Sequence, residues 1–124
     1  MKKILFVDDE ENFRHLLKEA FRLRGFKCLT AKNGRDAIRI AENERPSLII
    51  LDLIMPEMDG IETHKILKSS KKTKNIPIIA YSAQDPEVIL KKGDEAFDVV
   101  DFILKPFSVE KLIALVEKSL KKYN

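Results

Sequence analysis

Cysteine is almost absent. Cys28 stands alone among 124 residues, which excludes an internal disulfide and agrees with a reducing compartment; its alternating segment makes it a core residue. Glycine and proline number only 4 and 5, too few for a low-complexity linker, and no segment repeats. Long apolar runs are missing too. The first, Ile4 to Val7, stops at Asp8-Asp9-Glu10, far short of a signal-peptide core or a membrane span, so a cytoplasmic location without membrane contact is expected. Nor does one sign of charge dominate. The 23 Lys and Arg against 20 Asp and Glu leave a net charge of +3, and lysines scattered among acids demand no nucleic-acid surface. What remains is an ordinary globular composition, 44% hydrophobic and 35% charged. A chain of this length is expected to form one domain over residues 1–124, burying roughly two thirds of its unfolded surface.

Apolar runs bounded by turn formers set the order of elements. Lys3 to Val7 reads as a buried strand that delivers three acids at its end. Phe13, Leu16, Leu17, Ala20 and Phe21 follow at helical spacing, and Gly25 lies just past Arg24, where a helix would stop. Phe26 to Ala31 is a second strand. Asn33-Gly34 opens a second helix with Ala37, Ile38 and Ala41 inward, closed by Arg45-Pro46. Leu48 to Asp52 reads as a strand buried on both faces, as in a parallel sheet. Gly60 starts a third helix with Ile61, His64 and Leu67 on one face, His64 being a half-buried packing residue rather than a ligand. Pro77 to Ser82 is a fourth strand, and Asp85-Pro86 caps and begins a fourth helix that Gly93 weakens. Val99 to Leu104 makes a fifth strand, interrupted by Asp101 and ended by Lys105-Pro106. Ser108 caps the last helix, with Val109, Leu112, Ile113, Val116 and Leu120 inward. Five strand-helix units in alternation predict right-handed crossovers and a doubly wound α/β fold, a parallel sheet between two helical layers.

Asp52 is the residue this order singles out. A carboxylate at the end of a buried strand costs several kcal/mol unless it is paired, metal-bound or solvated, although an Asp that caps the following turn has the same sequence appearance. In a doubly wound sheet the carboxyl ends of all strands share one edge, and ligands bind where the strand order reverses. Asp8, Asp9, Asp52, Ser82 and Lys105 come from four different strand ends and would meet there. Three carboxylates repel, so some are protonated or share a hard cation; oxygen ligands with room for water suit Mg²⁺ or Mn²⁺. Lys105 as a second cation and Ser82 as a hydroxyl donor would then hold a dianionic group on Asp52, such as a phosphoryl.

These residues resemble the response-regulator receiver domain of two-component signalling, of the chemotaxis-regulator type, over nearly the whole chain. Asp8 and Asp9 stand where the family has its acidic pair. Asp52 stands at its phosphoacceptor, followed by its Met-Pro-x-Met-Asp-Gly loop, here Met55 to Gly60. Ser82 falls at the switch hydroxyl, Phe102 at the rotating aromatic, and Lys105-Pro106-Phe107 at the Lys-Pro-Phe signature, whose first peptide is usually cis. The resemblance implies a flavodoxin-like five-stranded sheet of order 2-1-3-4-5. It adds the backbone carbonyl of Ile54 as a metal ligand, and makes the side chains of Ile54 and Gln84 the tuners of phosphoryl lifetime. Two departures stand out: Asp98-Val99 replaces a common Gly-Ala, with the stretch from Ser82 to Lys105 about one residue longer than usual, and Leu104 replaces a smaller or polar residue.

Other classes fit less well. A haloacid-dehalogenase-type phosphatase needs a second Asp two residues after the nucleophile, where this chain has Ile54. An FMN binder needs a phosphate loop after the first strand, and Asp8-Asp9-Glu10-Glu11 would repel phosphate. Lys65, Lys68, Lys71, Lys72 and Lys74 lack interleaved aromatics and read as a solvated face rather than a nucleic-acid site. The rival that survives is a phosphorylation-independent docking module of the same fold. The expected function is a self-modifying switch rather than a turnover enzyme. A histidine kinase or phosphotransfer protein would pass a phosphoryl to Asp52 with Mg²⁺ or Mn²⁺. An output protein would meet the face of the fourth helix, fifth strand and last helix, with Phe102, Lys91, Lys92, Lys111, Lys118, Lys121 and Lys122. The sequence ends at Asn124; a stand-alone regulator and the receiver of a longer protein are both compatible with it.

Overall fold

The computed structural model describes residues 2–55, 59–83, 99–105 and 108–123. Its strands are β1 (Lys3–Val7), β2 (Lys27–Ala31), β3 (Leu48–Asp52), β4 (Ile78–Ser82) and β5 (Asp101–Leu104), and its described helices are α1 (Glu11–Leu23), α2 (Gly34–Glu44), α3 (Gly60–Ser69) and α4 (Val109–Tyr123). Several expectations lie outside the described residues: the helix begun by Asp85-Pro86, with Gly93, Lys91 and Lys92; the lifetime position Gln84; Asp98; Pro56 to Met58; and the Lys105-Pro106 peptide with Phe107.

The strands pair in parallel, as the alternation of strands and helices predicts, and in the order β2-β1-β3-β4-β5 that the resemblance implies. Alternation along each strand divides the core into two layers. Ile4, Phe6, Leu48, Ile50, Ile79 and Tyr81 point to one face, against Leu17 and Phe21 of α1 and Leu112, Ile113, Val116 and Leu120 of α4. Leu5, Val7, Ile49, Leu51 and Ile78 point to the other, against Ala37 and Ala41 of α2 and Leu67 of α3. All of β3 and β4 is buried, so each large aliphatic there contributes about 1.5–3 kcal/mol. Cys28 sits in the first layer, and burial pushes its thiol up to about 12.

Local signals close the helices as the sequence implies. Gly25 takes a left-handed φ of 87° after α1, a conformation that costs an L residue about 1–2 kcal/mol. Asn33 accepts the Asp36 N–H at 2.8 Å to cap α2, Asp59 accepts the Glu62 N–H at 2.8 Å to cap α3, and Ser108 accepts the Lys111 N–H at 3.0 Å before α4. Other expectations shift. β2 starts one residue later than Phe26, and β5 starts at Asp101 rather than Val99. Leu16 of α1 is 53% exposed, because Phe13, Leu17, Ala20 and Phe21 already fill the stripe that meets the sheet. In α3 the buried side chains are Thr63, His64 and Leu67, with Ile61 at the margin; His64 is thus buried rather than half-buried. Lys68 is tied back by bonds to the carbonyls of Lys74 at 3.2 Å and Ile76 at 3.0 Å, while Lys65, Lys71, Lys72 and Lys74 are exposed.

Candidate functional site at the carboxyl edge of the sheet

The strand order reverses at β1, and the crevice beyond the carboxyl ends of β1 and β3 is where such folds bind ligands. Asp8 follows β1 directly, its N–H held by the Ala31 carbonyl at 3.1 Å. Asp52 is the last residue of β3, beside Tyr81 of β4 in register. Lys105 follows β5, its N–H donating to the Ser82 carbonyl at 2.7 Å. Three separate strand ends thereby deliver their side chains to one place. The Lys105 Nζ lies 3.3 Å from Asp8 Oδ2 and 3.5 Å from Asp52 Oδ2, and one carboxylate oxygen from each of Asp8, Asp9 and Asp52 falls within 4.8 Å of the others. Asp8 is fully buried, Asp52 is 3% exposed and Asp9 is exposed, so the cluster has a closed floor and an open side.

Two buried carboxylates share one ammonium, with a third, exposed carboxylate close by, which leaves excess negative charge at a poorly solvated place. Burial, the largest cause, raises the Asp52 carboxyl to about 6; the Ile54 N–H and Lys105 oppose the rise, and Asp8 adds to it. Burial by itself lowers Lys105, but the carboxylates of Asp52 and Asp8 outweigh it and the net shift is upward. The lysine is therefore a fixed cation at neutral pH.

The turn after Asp52 depends on one close backbone approach. The Ile54 N–H donates to Asp52 Oδ1 at 3.1 Å, the Leu53 N–H to the Tyr81 carbonyl at 3.0 Å, and the Gly60 N–H to the Leu53 carbonyl at 3.0 Å. A Cβ at position 60 would stand 2.1 Å from the Asp52 carbonyl oxygen and 2.5 Å from Leu53 Cα. The start of α3 therefore packs on the end of β3 only with glycine there.

Of the other expected residues, Ser82 and Ile54 fall along the same edge, while Phe102 lies further back in β5. Ser82 is buried at the end of β4, and its register partner is Leu104. Ile54 is 48% exposed beside Asp52. Phe102 is half-buried, pairs with Ala80 and lines an open groove of ≈ 600 Å³ with Leu104, Lys111, Leu115 and Lys118. Two more residues reach the site without belonging to any of its motifs. Arg14 donates to the Asp8 carbonyl at 2.8 Å, and Tyr81 places its hydroxyl 2.8 Å from the Val7 carbonyl and 2.5 Å from Asp8 Oδ2. The one available signal for the latter was that a tyrosine inside a buried strand needs a partner for its hydroxyl.

A carboxylate cluster at the switch point, where nucleotide-binding relatives of this architecture carry a glycine loop, leaves the class of doubly wound α/β domains that work through acids. Comparison with known proteins gives the family. The chain belongs to the response regulator receiver domain family, which it matches over residues 4–117. It is 39% identical over 121 residues to the alkaline phosphatase synthesis transcriptional regulatory protein PhoP of Bacillus subtilis, covering 98% of this chain and 49% of that one. It is 37% identical over 123 residues to the regulatory protein AtoC of Escherichia coli, covering 98% of this chain and 26% of that one. The chain thus spans half or less of the length of these curated relatives. Among solved structures it is similar to the Francisella response regulator 1452 receiver domain, at 30% identity and TM-score 0.86 with both chains fully covered. It is also similar to the Vibrio cholerae chemotaxis protein CheY4, at 29% identity and TM-score 0.85, with 95% of this chain and 98% of that one covered. Among the described residues, no helix is long and apolar enough to cross a membrane.

Proposed function

We propose that this domain, residues 1–124, is the phosphoacceptor switch of a cytoplasmic two-component phosphorelay, and that Asp52 is its acceptor. The observation that carries the reading is the sharing of one lysine by two buried carboxylates, Asp8 and Asp52, at 3.3 and 3.5 Å. Of those two, Asp52 ends a central strand and has an exposed flank at Ile54. The donor set also fits a divalent cation. It offers oxygen atoms only, within 4.8 Å of one another, with an exposed acid on the open side where water can complete the shell, which favours Mg²⁺ or Mn²⁺. Asp8, Asp9, Asp52 and the Ile54 carbonyl would hold it. When bound, the cation supplies charge neutralisation to the carboxylates and to the phosphoryl oxygens.

The chain's own part is positioning and electrostatics, the terms that dominate phosphoryl transfer. An ionised Asp52 oxygen attacks phosphorus as the P–N bond of a partner's phosphohistidine breaks; the electron pair stays on the leaving imidazole nitrogen, which takes up a proton. Lys105 donates to a phosphoryl oxygen from its place beside Asp52, and Ser82 offers a hydroxyl. Water later attacks phosphorus, releasing phosphate and restoring the carboxylate. This is self-modification of a switch, not turnover. A histidine kinase or phosphotransfer protein is the donor. Output passes through Phe102 and the groove edged by Lys111 and Lys118 to a partner protein; no direct nucleic-acid contact is assigned to this domain.

Incubation with acetyl phosphate and Mg²⁺, followed by intact mass, tests the reading: one phosphoryl per chain is expected. EDTA should stop labelling, and Asp9→Ala should weaken Mg²⁺ binding by about tenfold or more, as loss of a charged oxygen ligand does. Undiminished labelling in chelator would remove the cation from the scheme, and no labelling at all would favour the phosphorylation-independent docking module.

Lifetime follows from the flank of the site. Ile54 cannot orient a water and its side chain can shield the phosphoryl, so Ile54→Asn should speed decay of the acyl phosphate several-fold, on the order of the tenfold that 1.36 kcal/mol represents. Unchanged or slower decay by mass spectrometry would count against this. Gln84 is the second proposed tuner. Phosphorylation is further proposed to draw the Ser82 hydroxyl inward and let Phe102 repack, a partial shift rather than the complete one that would need about 5.5 kcal/mol. NMR spectra with beryllofluoride and Mg²⁺ should then show shifts at Phe102 and along β5; shifts confined to the surroundings of Asp52 would refute the coupling.

A further inference from the structure

Asp8 is fully buried, yet it stays beside two other carboxylates. Its oxygens are met by three donors from three parts of the chain. The Glu10 N–H reaches Oδ1 at 2.8 Å, while the Tyr81 hydroxyl reaches Oδ2 at 2.5 Å and the Lys105 ammonium reaches the same oxygen at 3.3 Å. These donors differ in permanence. The Glu10 N–H belongs to the turn after β1 and fixes only one oxygen. Lys105 is partly exposed and divides its contact between Asp8 and Asp52, so a phosphoryl group on Asp52 would draw it away. Tyr81 cannot leave. Its ring is fully buried in β4 and stacked on Phe6 with centroids 5.6 Å apart and planes at 12°. Its hydroxyl also lies 2.8 Å from the Val7 carbonyl, but a phenol has one proton to give, and an ionised carboxylate is the stronger acceptor.

The same ring has a second contact at the site. The Lys105 ammonium stands over its face, 4.8 Å from the centroid, within the range in which a cation is attracted by the ring quadrupole. One side chain thus touches both the carboxylate and the ammonium that flank Asp52.

We infer that Tyr81 is a positioning residue of the phosphoryl site: its hydroxyl holds the Asp8 carboxylate in orientation when Lys105 turns to the phosphoryl group, and its ring face seats Lys105. The inference rests on the metal-dependent phosphoacceptor reading and deepens it. Side chains that orient a metal-binding carboxylate commonly matter about as much as 10–100-fold in metal affinity, which sets the size of the expected effect.

Two variants separate the hydroxyl from the ring. Tyr81→Phe keeps the ring over which Lys105 sits and removes the proton donated to Asp8. It should weaken Mg²⁺ binding, read by NMR titration without any phosphodonor, by about tenfold or more, and raise by the same factor the Mg²⁺ concentration at which labelling by acetyl phosphate is half-maximal. Tyr81→Leu removes the ring as well, and labelling at saturating Mg²⁺ should fall too. A third measurement needs no variant at position 81. The wild-type chain should show a slowly exchanging downfield hydroxyl proton that moves upfield in Asp8→Asn. If Tyr81→Phe binds Mg²⁺ as wild type does, whatever its melting temperature, or if no such proton responds to Asp8→Asn, the inference is overturned and the phosphoacceptor reading stands untouched. If the wild-type chain itself binds no Mg²⁺, the metal reading falls and this inference with it.

Discussion

Asp52→Asn should abolish phosphoryl labelling and, at neutral pH, make the fold more stable. Both effects come from one cause. The carboxyl is raised to about 6, chiefly by burial, whereas in the unfolded chain it titrates at about 3.9. Between those values the folded state holds a proton that the unfolded state has released. The stability tied to this group is therefore fully present below about pH 4 and is lost as pH rises through about 6. Above that range wild type carries the whole cost of an ionised, poorly solvated carboxylate, about 3 kcal/mol as an upper bound. A neutral amide does not carry it, and Lys105 keeps Asp8 as a partner at 3.3 Å. Urea melts at about pH 7 should show the variant more stable by on the order of 1–3 kcal/mol, with the gap closing toward about pH 4. Intact mass after acetyl phosphate treatment gives the other half of the result. Equal labelling of the two proteins would mean another residue accepts the phosphoryl. A less stable variant at neutral pH would mean the carboxylate is held by more than Lys105 and the Ile54 N–H.

Gly60→Ala should lower stability by about 3 kcal/mol or more, at the upper end of overpacking substitutions. The cause is not lost flexibility. The added Cβ would sit 2.1 Å from the Asp52 carbonyl oxygen and 2.8 Å from the Asp52 carbonyl carbon, and neither backbone atom can swing aside as a side-chain end would. The end of β3 or the start of α3 must move, and Asp52 moves with it. Labelling by acetyl phosphate should therefore slow even under conditions where the variant remains folded. Gly25→Ala is the informative comparison. Position 25 has open space around a built Cβ but a φ of 87°, so it should cost only about 1–2 kcal/mol and leave labelling intact. If both variants lose the same stability and both label normally, the close approach at Gly60 does not position the acceptor.

Much of the architecture was legible because its signals are local. Leu48 to Leu51 form an unbroken apolar run and lie in a strand buried on both faces; Asn33 and Asp59 are good capping residues and accept the expected N–H groups. Where several apolar residues compete for one stripe, the pattern is less decisive. Leu16 has the spacing of a core residue but is 53% exposed, since a helix on a sheet buries one narrow face and Leu17 holds it. Thr63, with no hydrophobic signal, is buried because its hydroxyl is satisfied by the Asp59 carbonyl at 2.9 Å.

The site divides in the same way. The sequence by itself determined which acids and which lysine end their strands, since a charged residue closing an apolar run needs no neighbour to be noticed. It also determined that alternating strands and helices bring those ends to a single edge. Only the tertiary structure decided how the charges are apportioned. Lys105 lies between Asp8 and Asp52 rather than on one of them, Asp9 is left on the open side, and Tyr81, from a strand whose letters read as core, donates to an acid 73 residues away. Hydrogen bonds and carboxyl pKa values depend on distances of a few ångströms and on how much water is excluded. Those quantities are set by packing between segments far apart in the chain, and the spacing within a segment does not contain them.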